Sequence, residues 1–401
     1  MSAFDELGQA IRADDVTRAR AVLAAHSELA ASLDQPMPGG DFGSTCLLTA
    51  VYRRNREMVD LLLDAGAGIN VRSHWWAGGF GVLDNDSGLA DYLIGRGATV
   101  DAYAAARHGR LEDLARLLAA DASAVHMRGG DGQTPLHVAA TPAIADLLLE
   151  RGADINALDV DHESTPAQYA IGDRPDVARY LVERGCATDL LLVSALGDAR
   201  RVRAHVSSAP QSIGMSVSEE WFPKRNPRSG GSIYIWTLGD GKTPHLVAHE
   251  RGHTDVFALL MSVSPADLQL ATACDVGDET LVRQVRASHP DVLKTMSEST
   301  ARRLVSAAQR NDDRAVRLML DAGWRADVRG ADGVTALHWA AWLGNAAMAQ
   351  ALLRSGASRD AVEARYGGTP LGWARHGQAH GDAERAGGRA AVIAALEQPA
   401  S

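Results

Sequence analysis

The 401-residue sequence predicts a repeat solenoid rather than two or three globular domains, and three observations carry that prediction. One block recurs as Asp131-Gly-Gln-Thr-Pro-Leu-His-Val-Ala-Ala, Asp240-Gly-Lys-Thr-Pro-His-Leu-Val-Ala-His, Asp332-Gly-Val-Thr-Ala-Leu-His-Trp-Ala-Ala and Tyr366-Gly-Gly-Thr-Pro-Leu-Gly-Trp-Ala. A second block, Leu-Leu-x-x-Gly-Ala in its fullest form, recurs in phase with the first, starting at Leu62, Leu148 and Leu352, with variants at Leu181 and Leu320. The spacing is regular: Gly152 to Gly185 and Gly323 to Gly356 are each 33 residues, and Thr335 to Thr369 is 34. At about 33 residues per unit the chain holds about 12 units.

These blocks resemble the ankyrin repeat. The resemblance implies an all-α solenoid of about 11–12 helix-pair units, antiparallel helices joined by β-turn loops, with a β-prone insertion at about 208–239. The residue chemistry agrees. Thr134 suits a helix N-cap, and Pro135 after it has its φ preset and gives up no needed donor. Ala139 and Ala140 permit close helix packing, Leu147 and Leu148 face inward, and Gly152 ends the second helix. A single unit cannot bury its apolar face, so neighbours must stack.

Taken in order, residues 3–36 read as two amphipathic helices without the signature, and the Ala-rich run from Ala19 suits an N-terminal cap. The unit at 40–72 is complete except that Cys46 stands where Pro is usual. At 73–101, His74-Trp-Trp-Ala-Gly-Gly-Phe-Gly replaces the usual opening, while Leu93-Ile-Gly-Arg-Gly-Ala closes the unit correctly. Units at 102–130, 131–160 and 161–187 follow, and another begins near Asp189. The period then breaks. Trp221-Phe-Pro-Lys-Arg-Asn-Pro-Arg-Ser-Gly-Gly is turn-rich and Ile233-Tyr-Ile-Trp is β-prone, which predicts a protruding hairpin or ordered finger. The signature resumes at Asp240, and units at 267–298, 300–331, 332–365 and 366–398 complete the array. The expected organisation is a first array with its cap at 1–207, the finger at 208–239, and a second array at 240–401 with a capping helix, continuous with the first.

Composition excludes several classes. Hydrophobic residues at 46% and charged residues at 22% rule out wholesale disorder. With only 8 Trp, 7 Tyr and 5 Phe, the core must be built largely from Ala, Leu and Val. Fifty acidic against 40 basic residues leave a formal charge of −10, which opposes non-specific nucleic-acid binding. The N-terminal ten residues lack a basic region followed by an apolar one, and no run approaches the roughly 18 apolar residues of a membrane span. Cys46, Cys186 and Cys274 are too scattered for a disulfide framework or zinc knuckle. The expectation is a reduced, cytoplasmic, monomeric protein that needs no cofactor or metal.

One motif imitates a catalytic metal site. His249-Glu-Arg-Gly-His253 fits the zinc-protease pattern, but that chemistry needs both imidazoles on one continuous helix. Here Gly252-His253 falls where the repeat turns, so the structural reading is preferred. His376 and His380 lie in a loop-like stretch without a third ligand. His137 and His338 occupy the signature position, where the family uses the ring to bond adjacent loops.

The resemblance places recognition on the inner face, at turn tips and at the two residues before the helix-ending Gly. In this sequence those pairs are Tyr52-Arg53, Arg107-His108, Glu250-Arg251, Gln309-Arg310 and Trp342-Leu343. Arg recurs in four of them, which suggests a groove for an acidic partner protein. Trp342-Leu343 would be costly at an exposed position unless something covers it. Aromatics also gather at Trp75, Trp76 and Phe80, and in the finger at Trp221, Phe222, Tyr234 and Trp236. The leading expectation is a non-catalytic scaffold that binds a protein through its groove, turn tips and finger, with no nucleic acid or membrane. The rivals are an enzyme or small-molecule receptor with a site between finger and groove, lined by His249, Glu250, Arg251 and Trp236, and an inhibitor or immunity-type protein acting by occlusion.

Overall fold

In the computed structural model, which describes residues 2–85 and 88–398, short helix pairs follow one another along the chain. Two compact units form: one runs to Thr188 and includes Phe222–Leu238, the other comprises Asp189–Trp221 and the chain from Gly239 onward. The only β pairing among the described residues is an isolated bridge between Arg329 and Thr335. No helix among them is long and apolar enough to cross a membrane.

Within the first unit, complete pairs are Ala3–Arg12 with Val16–Ala25, Cys46–Tyr52 with Arg56–Asp64, Ala102–Arg107 with Leu111–Ala120, and Pro166–Asp173 with Pro175–Glu183. Two repeats keep only their second helix, Ala90–Gly95 and Pro142–Glu150. The second unit holds the pairs Leu190–Ala195 with Ala199–Ser208, Pro244–Glu250 with Thr254–Val263, Ala266–Asp275 with Glu279–Ser288, Arg303–Gln309 with Asp313–Asp321, Ala336–Leu343 with Ala346–Arg354, and Pro370–His380 with Ala386–Glu397.

The caps explain why such short helices hold. Thr45, Thr165, Thr243 and Thr369 each accept the backbone N–H three residues on, at 3.1–3.4 Å. Second helices start on Asp or Asn, as at Asp15, Asn55, Asp278, Asp312 and Asn345. Several of the second helices end at glycines in the left-handed region, with φ of 91° at Gly152 and 90° at Gly185. The buried side chains are mostly Ala, Leu, Val and Met, as composition required. Each fully buried Leu or Val contributes about 1.5–3 kcal/mol, but only once a neighbouring repeat covers it.

The insertion is not a hairpin. Its β-prone run closes helical turns instead, with Trp236 N–H donating to Ile233 O at 2.9 Å and a wide turn over Ile235–Gly239. A strand needs a partner, and the preceding run carries Pro223, Pro227, Gly230 and Gly231, which cannot supply a ladder. Ile233 and Tyr234 are buried, and Phe222 packs edge-to-face on Tyr234 at 5.3 Å. Another expectation fails at the C-terminal end: His376 and His380 lie in a helix rather than a loop, because Pro370–His380 continues to a cap at Gly381.

The signature histidine binds successive loops together. His137 is fully buried; Nδ1 accepts from Thr134 N–H at 3.0 Å and Nε2 donates to Ser164 O at 3.0 Å. His338 repeats this with Thr335 N–H at 3.1 Å and Gly368 O at 3.1 Å. Burial pulls the His137 imidazole down from 6.5 to about 4, so the unfolded chain takes up a proton that the folded chain refuses. That contribution to stability is full above pH 6.5 and is lost as pH falls through the window down to about 4. The substitution His137→Ala is expected to lower stability by about 2–4 kcal/mol at pH 7 and to flatten the loss between pH 7 and pH 5, measured by urea unfolding at both pH values.

Candidate functional site

The site begins with a repeat that is too short. Between the N-caps of its two segments, Thr134 to Thr141 spans 7 residues, where Thr243 to His253 spans 10. The missing residues amount to nearly one helical turn. Pro142 then holds Thr141 extended, at φ −142° and ψ 159°. Residues 134–139 are therefore left with tight three-residue bonds, such as His137 N–H to Thr134 O at 3.0 Å. Arg174 satisfies two of the freed carbonyls, donating to His137 O at 3.1 Å and Ala139 O at 2.9 Å.

The absent turn leaves a cavity of about 750 Å³, lined by Arg107, His108, Gln133, Tyr169 and Arg174 and bordered by Trp236 and Thr237 of the insertion. His108 bonds Leu83 O at 2.8 Å, and Tyr169 donates to Asp159 Oδ2 at 2.9 Å. The Arg107 Nε is buried with no hydrogen-bond partner.

The loop that follows fastens the insertion. Glu163 stands where the repeat signature has glycine, at φ 49°, and its carboxylate accepts from Arg225 N–H at 2.8 Å and Asn226 N–H at 2.7 Å. Asp161 O accepts from Ser229 Oγ at 2.5 Å and Gly230 N–H at 2.9 Å. Ser164 Oγ accepts from Ile233 N–H at 3.1 Å. These bonds hold Trp236 at 75% exposure between the first cavity and a second one.

The second cavity, about 460 Å³, is bounded by Phe42, Trp75, Ile233, Trp236 and Arg228, with Asp131, Asp161 and His162 beside them. Phe42 meets Trp75 edge-on at 4.9 Å, and the Arg228 guanidinium lies 4.5 Å above the Trp76 ring. Asp131 sits at a loop tip with φ 56°, followed by Gly132 at φ 70°. A side chain on Gly132 would meet Val160 at 2.3 Å, so glycine allows the successive loops to touch there. One ligand atom from each of Asp131, Asp161 and His162 falls within 4.8 Å of the others. Burial pushes the Asp131 carboxyl up to about 6, opposed by His162 and reinforced by Asp161 and Asp159.

The structure gathers Trp75, Trp76, Arg107, His108, Phe222 and Trp236 in the first unit, and Tyr52 and Arg53 also belong to it. Tyr52 is largely buried, which pushes its phenol up, and Arg53 pairs with Asp14. Trp221, Glu250, Arg251, Gln309, Arg310, Trp342 and Leu343 belong to the second unit. Of the lining expected between finger and groove, only Trp236 is at the cavities; His249, Glu250 and Arg251 are not among their residues.

In the second unit, the protease-like run is a repeat turn. His245 is fully buried and bonds Ser264 Oγ at 2.8 Å, the helix ends at Glu250, and His253 bonds Ala195 O at 3.1 Å. Glu250 pairs with Lys242, and burial draws Arg251 down. Trp342 is partly buried rather than freely exposed, stacked on His376 at 5.9 Å and edge-on to Trp373 at 6.4 Å. Arg389 passes beneath it, donating to Trp342 O at 2.9 Å. Gln309 bonds Asp240, and Arg310 donates to Asp275 Oδ1 at 2.8 Å.

Asp131, Asp161, His162 and Glu163 were not among the expected site residues. Asp131 reads as signature, since Asp240 and Asp332 occupy the same place. A signal does exist one repeat later, where His162-Glu163-Ser164 replaces the Asp-Gly-x of the other blocks before Thr-Pro.

The family model for ankyrin repeats in three copies matches residues 82–190, 268–363 and 304–381, and the single ankyrin-repeat model matches 42–74. Similar solved structures include the human ASB11 ankyrin repeat domain, at 19% identity over 76% of this chain and 100% of that one, with a TM-score of 0.30. The ankyrin repeat domain of Bcl-3, described as a unique member of the IkappaB family, shows 21% identity over 75% of this chain and 99% of that one, with a TM-score of 0.28. A chain from the complex of the predatory endopeptidase Bd0816 of Bdellovibrio bacteriovorus with immunity protein Bd3460 shows 23% identity over 45% of this chain and 97% of that one, with a TM-score of 0.29. Comparison with curated proteins gives no match.

The engagement of Arg310 has an energetic consequence. Asp275, with 1% side-chain exposure, faces Arg303 at 3.5 Å and Arg310 at 2.8 Å, both largely buried. Removing the carboxylate leaves two buried guanidinium groups without their counter-charge. Asp275→Ala is expected to destabilise the second unit by about 3–5 kcal/mol, and Arg310→Ala by less, as read from thermal and urea unfolding.

Proposed function

The chain belongs to the ankyrin-repeat family, and on that premise we propose that it is a non-catalytic interaction module whose partner is another protein. The observation that carries this reading is Trp236, 75% exposed on a segment whose own neighbours Ile233 and Tyr234 are buried. A large aromatic side chain in water on a firmly bonded support is the kind of anchor that supplies most of an interface's energy. Because the insertion is tied to the 161–164 loop through its backbone, little ordering cost remains when a partner covers the indole. Trp75, Trp76 and Arg228 extend the contact surface across neighbouring loop tips, and Arg107 adds a cationic group in the adjoining cavity. Arg53 and Arg310 contribute less, being engaged by Asp14 and Asp275.

The cavity of about 750 Å³ supports a second reading, a small-molecule receptor, since its walls combine Arg107, Gln133 and Tyr169 with an aromatic border. The two readings separate on one variant. Trp236→Ala, with unchanged circular dichroism, is expected to reduce recovery of the natural partner in affinity capture with mass spectrometry at least tenfold. Recovery equal to wild type would remove the insertion from the binding surface, and a low-molecular-weight species released on denaturing the purified protein would favour the receptor.

A further inference from the structure

We propose that Asp131, Asp161 and His162 bind a divalent transition-metal cation of the Zn²⁺ type, at the base of the aromatic cavity and directly beneath the insertion. The first argument is the direction of the lone pairs. His162 Nδ1 lies 2.8 Å from Gly231 O, which can only accept, so Nδ1 carries the proton. In its neutral form the ring then presents the Nε2 lone pair to Asp161 Oδ2, 3.6 Å away. The two side chains are only 11% and 8% exposed. In that form two acceptors face each other, and a cation between them, a metal or a proton, relieves the repulsion.

The second argument is the fit. Ligand atoms of a four-coordinate site with bonds of about 2.1 Å stand about 3.4 Å apart. The Nε2–Oδ2 separation is 3.6 Å, and one ligand atom from each of Asp131, Asp161 and His162 falls within 4.8 Å of the others. One imidazole and two carboxylates suit a borderline cation, and three protein ligands leave a fourth position toward the cavity of Phe42, Trp75 and Trp236.

The third argument is the support behind the ligands. The Gly231 carbonyl orients the imidazole, and Gly230 N–H bonds Asp161 Oδ1 at 3.2 Å. Ligand-orienting partners of this sort tune metal sites, and here both come from the insertion. The cation therefore ties the repeat loops and the insertion together: a bound metal holds Gly230 and Gly231 in place, and with them Trp236. The site lies on neither of the histidine pairs singled out in the sequence, His249 with His253 and His376 with His380.

The test uses the full chain, stripped with chelator and titrated with Zn²⁺ alone by calorimetry, with Mn²⁺ and Ca²⁺ in parallel. One equivalent of Zn²⁺ should bind, Asp161→Asn and His162→Gln should each weaken it at least tenfold, and His376→Gln/His380→Gln should leave it unchanged. Circular dichroism and melting without metal establish that the variants are folded. Hydrogen exchange of residues 229–237 in the wild type should slow on Zn²⁺ addition, a readout that a mere change in ion affinity elsewhere would not move. Absence of stoichiometric binding by all three cations, or binding undiminished in folded Asp161→Asn and His162→Gln, overturns the proposal. A pH-dependent change at 229–237 with no metal response also overturns it and makes the cation a proton shared by Asp161 and His162.

Discussion

Three missing residues set the terms for the first unit. With Thr141-Pro142 following Ala140 directly, the fifth repeat cannot complete its first helix, and the backbone carbonyls that the helix would have used must find donors elsewhere. Arg174 supplies them for His137 and Ala139, which fixes that guanidinium at the edge of the vacated volume. The cavity is lined by Val138 and Ala140 of the shortened segment, and the insertion lies along its border. A full-length helix here would place side chains where Tyr169, Arg107 and Trp236 now meet solvent.

Charge follows the same logic of local completion. The protein carries −10 overall, yet its acidic side chains are mostly committed: Asp14 to Arg53, Asp146 to Arg184, Asp275 to Arg303 and Arg310, and Glu163 to backbone N–H groups of the insertion. At Asp131, as at Asp84, Asp159 and Asp240, burial works against the ionised form. Polar groups that are buried and incompletely matched are rare in stable repeats, and those near the insertion stand beside cavities rather than inside the packed core.

Much of the fold was legible because recurrence is a stronger signal than propensity. Thr-Pro-Leu-His and Leu-Leu-x-x-Gly-Ala recur in phase, and each element of the pattern has a cap, a packing contact or a turn behind it. The insertion's conformation was not legible. Ile233-Tyr-Ile-Trp has strong β propensity, but a strand depends on a neighbour, and two prolines and two glycines upstream remove it. At the site, Trp236, Trp75 and Arg107 could be found from residue type and repeat position. Asp131 could not, since its neighbours in the signature give it a structural role, and Trp342 misled because Arg389 and Trp373 lie far from it in sequence and close to it in space. The one overlooked clue was a departure from consensus: Glu163 at a glycine position accepts strain at φ 49° in exchange for two bonds to the insertion.

The insertion also leaves its mark on the order of synthesis. Ser229 meets Asp161 across 68 residues of chain, and the intervening stretch Asp189–Trp221 belongs to the other unit. A nascent polypeptide therefore exports all of its early repeats, and begins a later one, before the segment that completes the early half leaves the ribosome. During that interval the 161–164 loop lacks the partners that the insertion supplies to Asp161, Glu163 and Ser164. The first unit is therefore complete only at Leu238, when the second is already under construction.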